Sequence, residues 1–338
     1  MTDRHNLLPA NNSPLTRSKP APGSDIDLAS RLLAHALPGK RVVAIEILTG
    51  GLINANFKVQ LDSYDQALVL RLYTRDPAAC QKEVDIYRMV RRTVPVPEVH
   101  YAEPNGVDGL GPFVLLGYIE GIPFRELRRT RDAVAISEAA YEIGKTLAAI
   151  GKYQFAEPGW FGFDLKIGGK FIEGPDSVPR FCDACVASAS FLQRAGKELA
   201  HRVHDFAWEW SSRLGWLDDE RSLVHSDFGS RNVLVRRVNG KWGVAGVIDW
   251  EFAFSGSPLF DVGNFLRYER VQRPLVEPHF SRGFSEGGGT LREDWRNLAR
   301  VIDLTALCER LTRDELPEEI ERELLDLVRA TIEDRDPS

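Results

Sequence analysis

The chain has 338 residues, of which 43% are hydrophobic and 27% charged, proportions that fit a folded globular protein and exclude a disordered one. A formal net charge of -6 provides no basic footprint for a phosphate backbone, so nucleic acid is excluded as the main partner. The length exceeds one small core and predicts two domains or one large two-lobed unit. No stretch approaches the roughly 18 consecutive apolar residues of a membrane-spanning helix. The four cysteines are too few for a disulfide framework. Only Cys182 and Cys185 form a CxxC pair, with no second pair or nearby histidine to complete a metal set, so they read as core or helix-surface thiols. A cytoplasmic location is expected.

The elements follow in chain order. Residues 1–24 have no apolar signal core and end in a Pro/Ser/Gly mixture, so they are predicted to be a disordered leader. "RVVAIEIL" and "NANFKVQL" read as strands on either side of a Gly50-Gly51 turn, and "QALVLRLY" as a third. "DPAACQKEVDIYRMVRRT" reads as a helix opened by Asp76 and Pro77, and the prolines of "VPVPEV" forbid its continuation. "GPFVLLGYIEG" is a strand running into Gly117 and Gly121, a natural hinge. Helical patterns dominate from Phe124 onward, ending in "LREDWRNLARVIDLTALCERL" and "PEEIERELLDLVRATIE". They are interrupted by "LVHSDFGSRNVLVRRVNGKWGVAGVIDWE", in which Asn239-Gly240 marks a hairpin turn between two apolar runs. The fold class predicted is α+β, with a β-rich lobe carrying one helix over residues 25–117. A helix-rich lobe holding the hairpin follows over 118–338.

The polar residues inside this hairpin region call for a chemical account. Asp227 and Asn232 stand five apart on a loop, and Asp249 follows at the far end of the hairpin. That arrangement suits phosphoryl transfer, which needs positioning and charge neutralisation more than covalent chemistry. One Asp can orient an attacking hydroxyl and take its proton, while an Asn and a second Asp can hold magnesium, a hard cation that prefers oxygen ligands. Single Asp and Asn residues in loops more often cap turns, and it is the combination that points to a site.

"HSDFGSRN" followed by "VIDW" resembles the catalytic and metal-binding loops of the aminoglycoside phosphotransferase (APH) family, and "LVHSDFGSRNVLV" looks most like its hygromycin phosphotransferase-type branch. The resemblance implies a two-lobed protein-kinase-like fold and an ATP- and magnesium-dependent transfer to a small-molecule hydroxyl. By resemblance, Asp227 is the catalytic base, Asn232 and Asp249 are magnesium ligands, His225 packs the loop, and Asp261 braces it. "TGGLINANFKV" with Gly50 and Gly51 resembles the family's nucleotide loop. Arg71 and Glu83 fall where the kinase-like fold keeps its strand Lys and helix Glu, an Arg in place of Lys being shared with the hygromycin-type and choline-kinase-like branches. Gly117 and Ile119 are expected to bind adenine through backbone groups.

Ser226 stands where protein kinases carry an arginine, and no "APE"-like anchor follows, so a small-molecule acceptor is expected over a protein. Glu251, Glu269, Asp303, Glu309, Asp314 and Glu315 suggest a cationic, amine-bearing acceptor, although Arg267, Arg270 and Arg310 stand near them. Two alternatives accompany an antibiotic kinase. One is a metabolite kinase of the choline, homoserine or amino-sugar type, and the other a non-catalytic nucleotide-binding regulator. The oligomeric state has no signature in the sequence.

Overall fold

The computed structural model describes residues 22–48, 55–62, 64–74, 76–170 and 173–333. The Gly50-Gly51 turn and residues 1–21 lie outside these. The expected leader overlaps the first helix at 22–24, because α1 already runs over Pro22–Ala36.

The first lobe follows the strand signals, with β1 (Val42–Ile47), β2 (Ala55–Leu61), β3 (Leu68–Leu72), α2 (Ala78–Val90), β4 (Val99–Glu103) and β5 (Phe113–Gly117). The strands form one antiparallel sheet in the order β1-β2-β3-β5-β4. Alternation along the strands sorts their side chains between two faces. Leu68, Leu70 and Leu72 of β3 join Phe113 and Leu115 of β5 beneath Ala29, Leu32 and Leu33 of α1. Val114 and Leu116 turn to the opposite face, toward Val84 and Tyr87 of α2. Arg71 lies between two of the α1-facing leucines, and the same alternation therefore turns it toward the α2 side. The sequence reading gave this lobe one helix. A second, α1, is present and covers the sheet face that would otherwise meet water.

The expected cap of α2 forms, with Ala78 donating its backbone N–H to the Asp76 carboxylate at 3.1 Å. Cys80, Glu83, Val84 and Tyr87 are buried on one stripe of this helix at i, i+3, i+4 and i+7 spacing.

The chain then crosses through β6 (Ile122–Pro123), α3 (Phe124–Arg129) and α4 (Ala133–Ile150) to β7 (Gly159–Phe161) and β8 (Ile167–Gly169). Next come α5 (Ser177–Val186), α6 (Ala189–Glu209), β9 (Ser222–Val224), β10 (Val233–Val238), β11 (Lys241–Val247) and β12 (Phe254–Gly256). The chain closes with α7 (Leu259–Leu266), α8 (Glu277–Glu286), α9 (Trp295–Leu311) and α10 (Glu318–Glu333). The predicted hairpin is β10–β11, whose turn residues Asn239 and Gly240 both have positive φ, 50° and 83°. β6 pairs with β10, so the interlobe crossing is stitched directly to the hairpin. The short strands β7, β8, β9 and β12 make a further sheet that carries no sequence periodicity.

Glycines let α4 and α8 approach closely. A Cβ on Gly144 would lie 2.1 Å from the Phe280 carbonyl oxygen, and one on Gly283 2.0 Å from that of Tyr141. The CxxC thiols lie on α5, and Cys80, Cys182, Cys185 and Cys308 are all free and buried. Burial raises the Cys185 thiol, as does the nearby Cys182, which keeps Cys185 far from the range of a reactive thiolate.

Candidate active site

A cleft of about 560 Å³ opens between the sheet of the first lobe and the hairpin and helices of the second. Arg71, Gly117, Ile119, Asp227, Asn232 and Asp249 all line it, so the structure brings together six of the sequence-predicted site residues. Glu83 stands behind Arg71 and does not line the cleft, and Gly50 and Gly51 lie outside the described residues.

The loop bearing Asp227 is held from below. Asp261, fully buried on α7, accepts the backbone N–H of His225 at 2.7 Å and that of Ser226 at 2.8 Å. Ser226 has a φ of +71°, a conformation costly for a non-glycine residue unless its surroundings impose it. Both carboxylate oxygens of Asp261 serve that purpose. Burial pushes its carboxyl up to about 7, against the downward pull of the two N–H donors.

His225 packs the loop as expected, fully buried beside Trp250 and Phe228. Its Nδ1 receives the Asp227 N–H at 3.2 Å, and its Nε2 lies 3.0 Å from the Ile248 carbonyl. One ring nitrogen accepts and the other donates, which assigns the neutral tautomer protonated at Nε2. Burial lowers the imidazole pKa in agreement with that assignment. Loop and hairpin end are thereby tied through one ring.

Asn232 Nδ2 donates to Asp227 twice, to its carbonyl at 3.0 Å and to Oδ2 at 2.8 Å. With the amide nitrogen so engaged, the Asn232 carbonyl oxygen is left for another partner. The Asn232 backbone oxygen accepts from Ile248 N–H at 3.0 Å, which places Asp249 alongside. Asp249 has a φ of +72°, a region Asp tolerates better than most residues.

Arg71 ties the lobes. Its Nη2 donates to Asp249 Oδ1, and its Nε stands 3.0 Å from Glu83 Oε2 in an ion pair whose N–H is not aligned for a hydrogen bond. Burial opposes the guanidinium charge, but Asp249 and Glu83 outweigh it and leave the pKa well above its ordinary value. Glu83 in turn accepts from the hydroxyls of Tyr73 and Tyr87 and from the backbone N–H of Trp250. The tyrosines are functional neighbours that the sequence reading missed. The i, i+4 spacing of Glu83 and Tyr87 on α2 was the available signal.

Of the six acids expected on an acceptor side, only Glu251, Asp303 and Glu309 line the cleft. Glu269 instead accepts the N–H groups of Val276 and Glu277 at the start of α8.

A two-lobed fold with Asp227, Asn232 and Asp249 gathered in one interlobe cleft is that of a kinase-like phosphotransferase. The model of the APH phosphotransferase enzyme family matches residues 44–301, and the chain belongs to that family. It is a small-molecule kinase. Among solved structures, it is similar to a thermostable mutant of aminoglycoside phosphotransferase APH(4)-Ia in a ternary complex with ADP and hygromycin B. The two share 18% identity and a TM-score of 0.63, over 89% of this chain and 97% of that one. The GDP and kanamycin complex of APH(2")-IIia gives 13% identity and a TM-score of 0.69, over 90% and 98%. The streptomycin-ATP complex of APH(2")-IIa gives 16% identity and a TM-score of 0.60, over 91% and 98%. These likenesses show the fold and single out no branch of the family. A search of curated proteins finds no match.

Proposed function

We propose that this kinase moves the γ-phosphate of ATP to a hydroxyl of a small molecule, with Asp227 as base and with magnesium held by Asn232 and Asp249. The observation that carries the proposal is the Asn232–Asp227 hydrogen bond, because it fixes the carboxylate and frees the Asn carbonyl oxygen beside Asp249. The donor set fits magnesium. No group of three or more His, Cys, Asp or Glu is placed to hold a metal among the described residues, yet this ion needs only one or two protein oxygens when phosphates and waters complete its shell. Bound there, it would neutralise charge on the transferring phosphate.

In this reading, Asp227 orients the acceptor hydroxyl and accepts its proton at Oδ1, since Oδ2 already receives the Asn232 amide. Arg71 grips nucleotide phosphate when it gives up Asp249. Gly117 and Ile119 present backbone groups to the base. The Ile119 side chain seats against Gly246 of β11, where an added Cβ would come within 2.3 Å of it. We place the lobe boundary at 117–118, with 25–117 binding nucleotide and 118–338 carrying catalysis and acceptor. The cysteines, all free, agree with a cytoplasmic location. No described helix is long and apolar enough to cross a membrane.

An aminoglycoside-like acceptor is suggested by the ligands named for the three neighbours, whereas the cleft lining favours another chemistry. The test is transfer of labelled γ-phosphate from ATP across a panel of hydroxyl compounds. Magnesium-dependent product formation supports the reading, and nucleotide binding without transfer to any of them revives the regulator alternative.

A further inference from the structure

One wall of the cleft is built by the C-terminal helices, through Arg267 after α7, Asp303, Glu309 and Arg310 on α9, Arg313 beyond it, and Glu323 on α10. Asp303 and Arg310, seven residues apart, share a face of α9. The charges on this wall pair off and leave one remainder. Arg267 donates to both Asp303 oxygens, at 2.9 and 2.6 Å. Arg313 pairs with Glu309 at 3.0 Å. Glu323 accepts from the Tyr268 hydroxyl. Arg310 has neither a hydrogen bond nor an ion pair among the described residues, although it is half-buried. Burial lowers its pKa, and the like charges of Arg267 and Arg313 lower it further, against smaller opposing pulls from Tyr268 and from Asp227 across the cleft.

A guanidinium withdrawn from water with no anion in contact is costly, and a ligand that brings one removes the cost. The planar fork matches a carboxylate or phosphate with two parallel hydrogen bonds. We propose that Arg310 seats an oxyanion of the acceptor whose hydroxyl faces Asp227, so that the substrates are anionic hydroxyl compounds. The inference deepens the phosphotransferase reading and rests on it. It opposes the cationic expectation. Asp303 and Glu309 already answer arginines, Glu269 holds backbone N–H groups, Asp314 accepts from Ser190, and Glu251 and Glu315 are also engaged. No carboxylate of that set is left to receive an amine, whereas one arginine is left to receive an acid.

The experiment is calorimetric titration, with ADP present, of four compounds on one carbon frame: gluconate, glucose 6-phosphate, glucose and glucosamine. At least one anion binds about 10- to 100-fold more tightly than glucose or glucosamine, the range of a charged hydrogen-bonded contact. The tighter of the two anions identifies a carboxylate or a phosphate as the group seated. Arg310→Met abolishes the preference and Arg310→Lys keeps part of it, while ADP affinity and the melting temperature of both variants stay at parental values. Glucosamine or glucose binding as tightly as both anions overturns the inference, as does failure of both anions to bind or a preference that survives Arg310→Met. Transfer is read separately as ADP release from ATP. An anion that binds through Arg310 but is never phosphorylated contradicts the phosphotransferase reading and leaves the oxyanion seat standing.

Discussion

Trp250 donates its backbone N–H to Glu83 Oε1 at 2.8 Å, so the residue following Asp249 is fixed to helix α2 of the opposite lobe. Glu83 is fully buried and also receives two tyrosine hydroxyls and the charge of Arg71. Glu83→Ala strips these groups of their acceptor at once and costs about 3–5 kcal/mol of stability. Glu83→Gln keeps an oxygen for Trp250 and costs less, about 1–3 kcal/mol. Urea unfolding of the two variants checks the order, and equal losses contradict it.

Arg71 supports a second prediction. Its guanidinium holds Asp249 and, in the proposed reading, grips nucleotide phosphate, so Arg71→Ala weakens ATP binding about 10- to 100-fold while adenosine binding changes little. Titrations with both ligands decide this. Equal losses for the two indicate general loosening of the lobe.

Asp261 gives a pH dependence of definite sign. Its carboxyl is raised to about 7 in the folded chain, so between the unfolded Asp value of about 4 and that point the native state holds a proton that the unfolded state has released. The stability this group contributes is therefore full below about pH 4 and lost as pH rises through 7. Asp261→Asn lacks this term, and the gap between parent and variant shrinks from pH 5 to pH 8. Denaturant unfolding across that range reads the gap, and a gap that widens with pH contradicts the assignment.

The Arg267–Asp303 pair is buried and doubly hydrogen-bonded. Arg267→Met alone leaves Asp303 as an uncompensated buried charge and costs about 3–5 kcal/mol, whereas adding Asp303→Leu recovers most of the loss. A double-mutant cycle by chemical unfolding measures the coupling. Additive single losses would show that the pair is not a unit.

The signals that proved legible were those with length or periodicity. Strands β1, β2, β3 and β5, helices α2, α4, α9 and α10, and the Asn239-Gly240 hairpin all had them. The three-residue strands β7, β8 and β12 are too short to show alternation and are held by their pairing in the sheet with β9, whose Leu223 and Val224 open an apolar run. α1 escaped notice because it follows a Pro/Ser-rich run that reads as disorder, although Ala29, Leu32, Leu33 and Ala36 have helical spacing. Motif spacing was enough to nominate Asp227, Asn232 and Asp249, which are close in sequence. The contact of Arg71 with Asp249 spans 178 positions and had no local signal. The solitary charge of Arg310 becomes visible only once Arg267 and Arg313 have taken their acids.

The role of Asp227 is the centre of this account, and the most direct measurement pairs the kcat of Asp227→Asn on the best acceptor found with its ADP dissociation constant. Asp227→Asn lowers kcat by about two to four orders of magnitude, the usual contribution of a positioned base, with ADP affinity unchanged. A variant that turns over at the parental rate with intact nucleotide binding would contradict it.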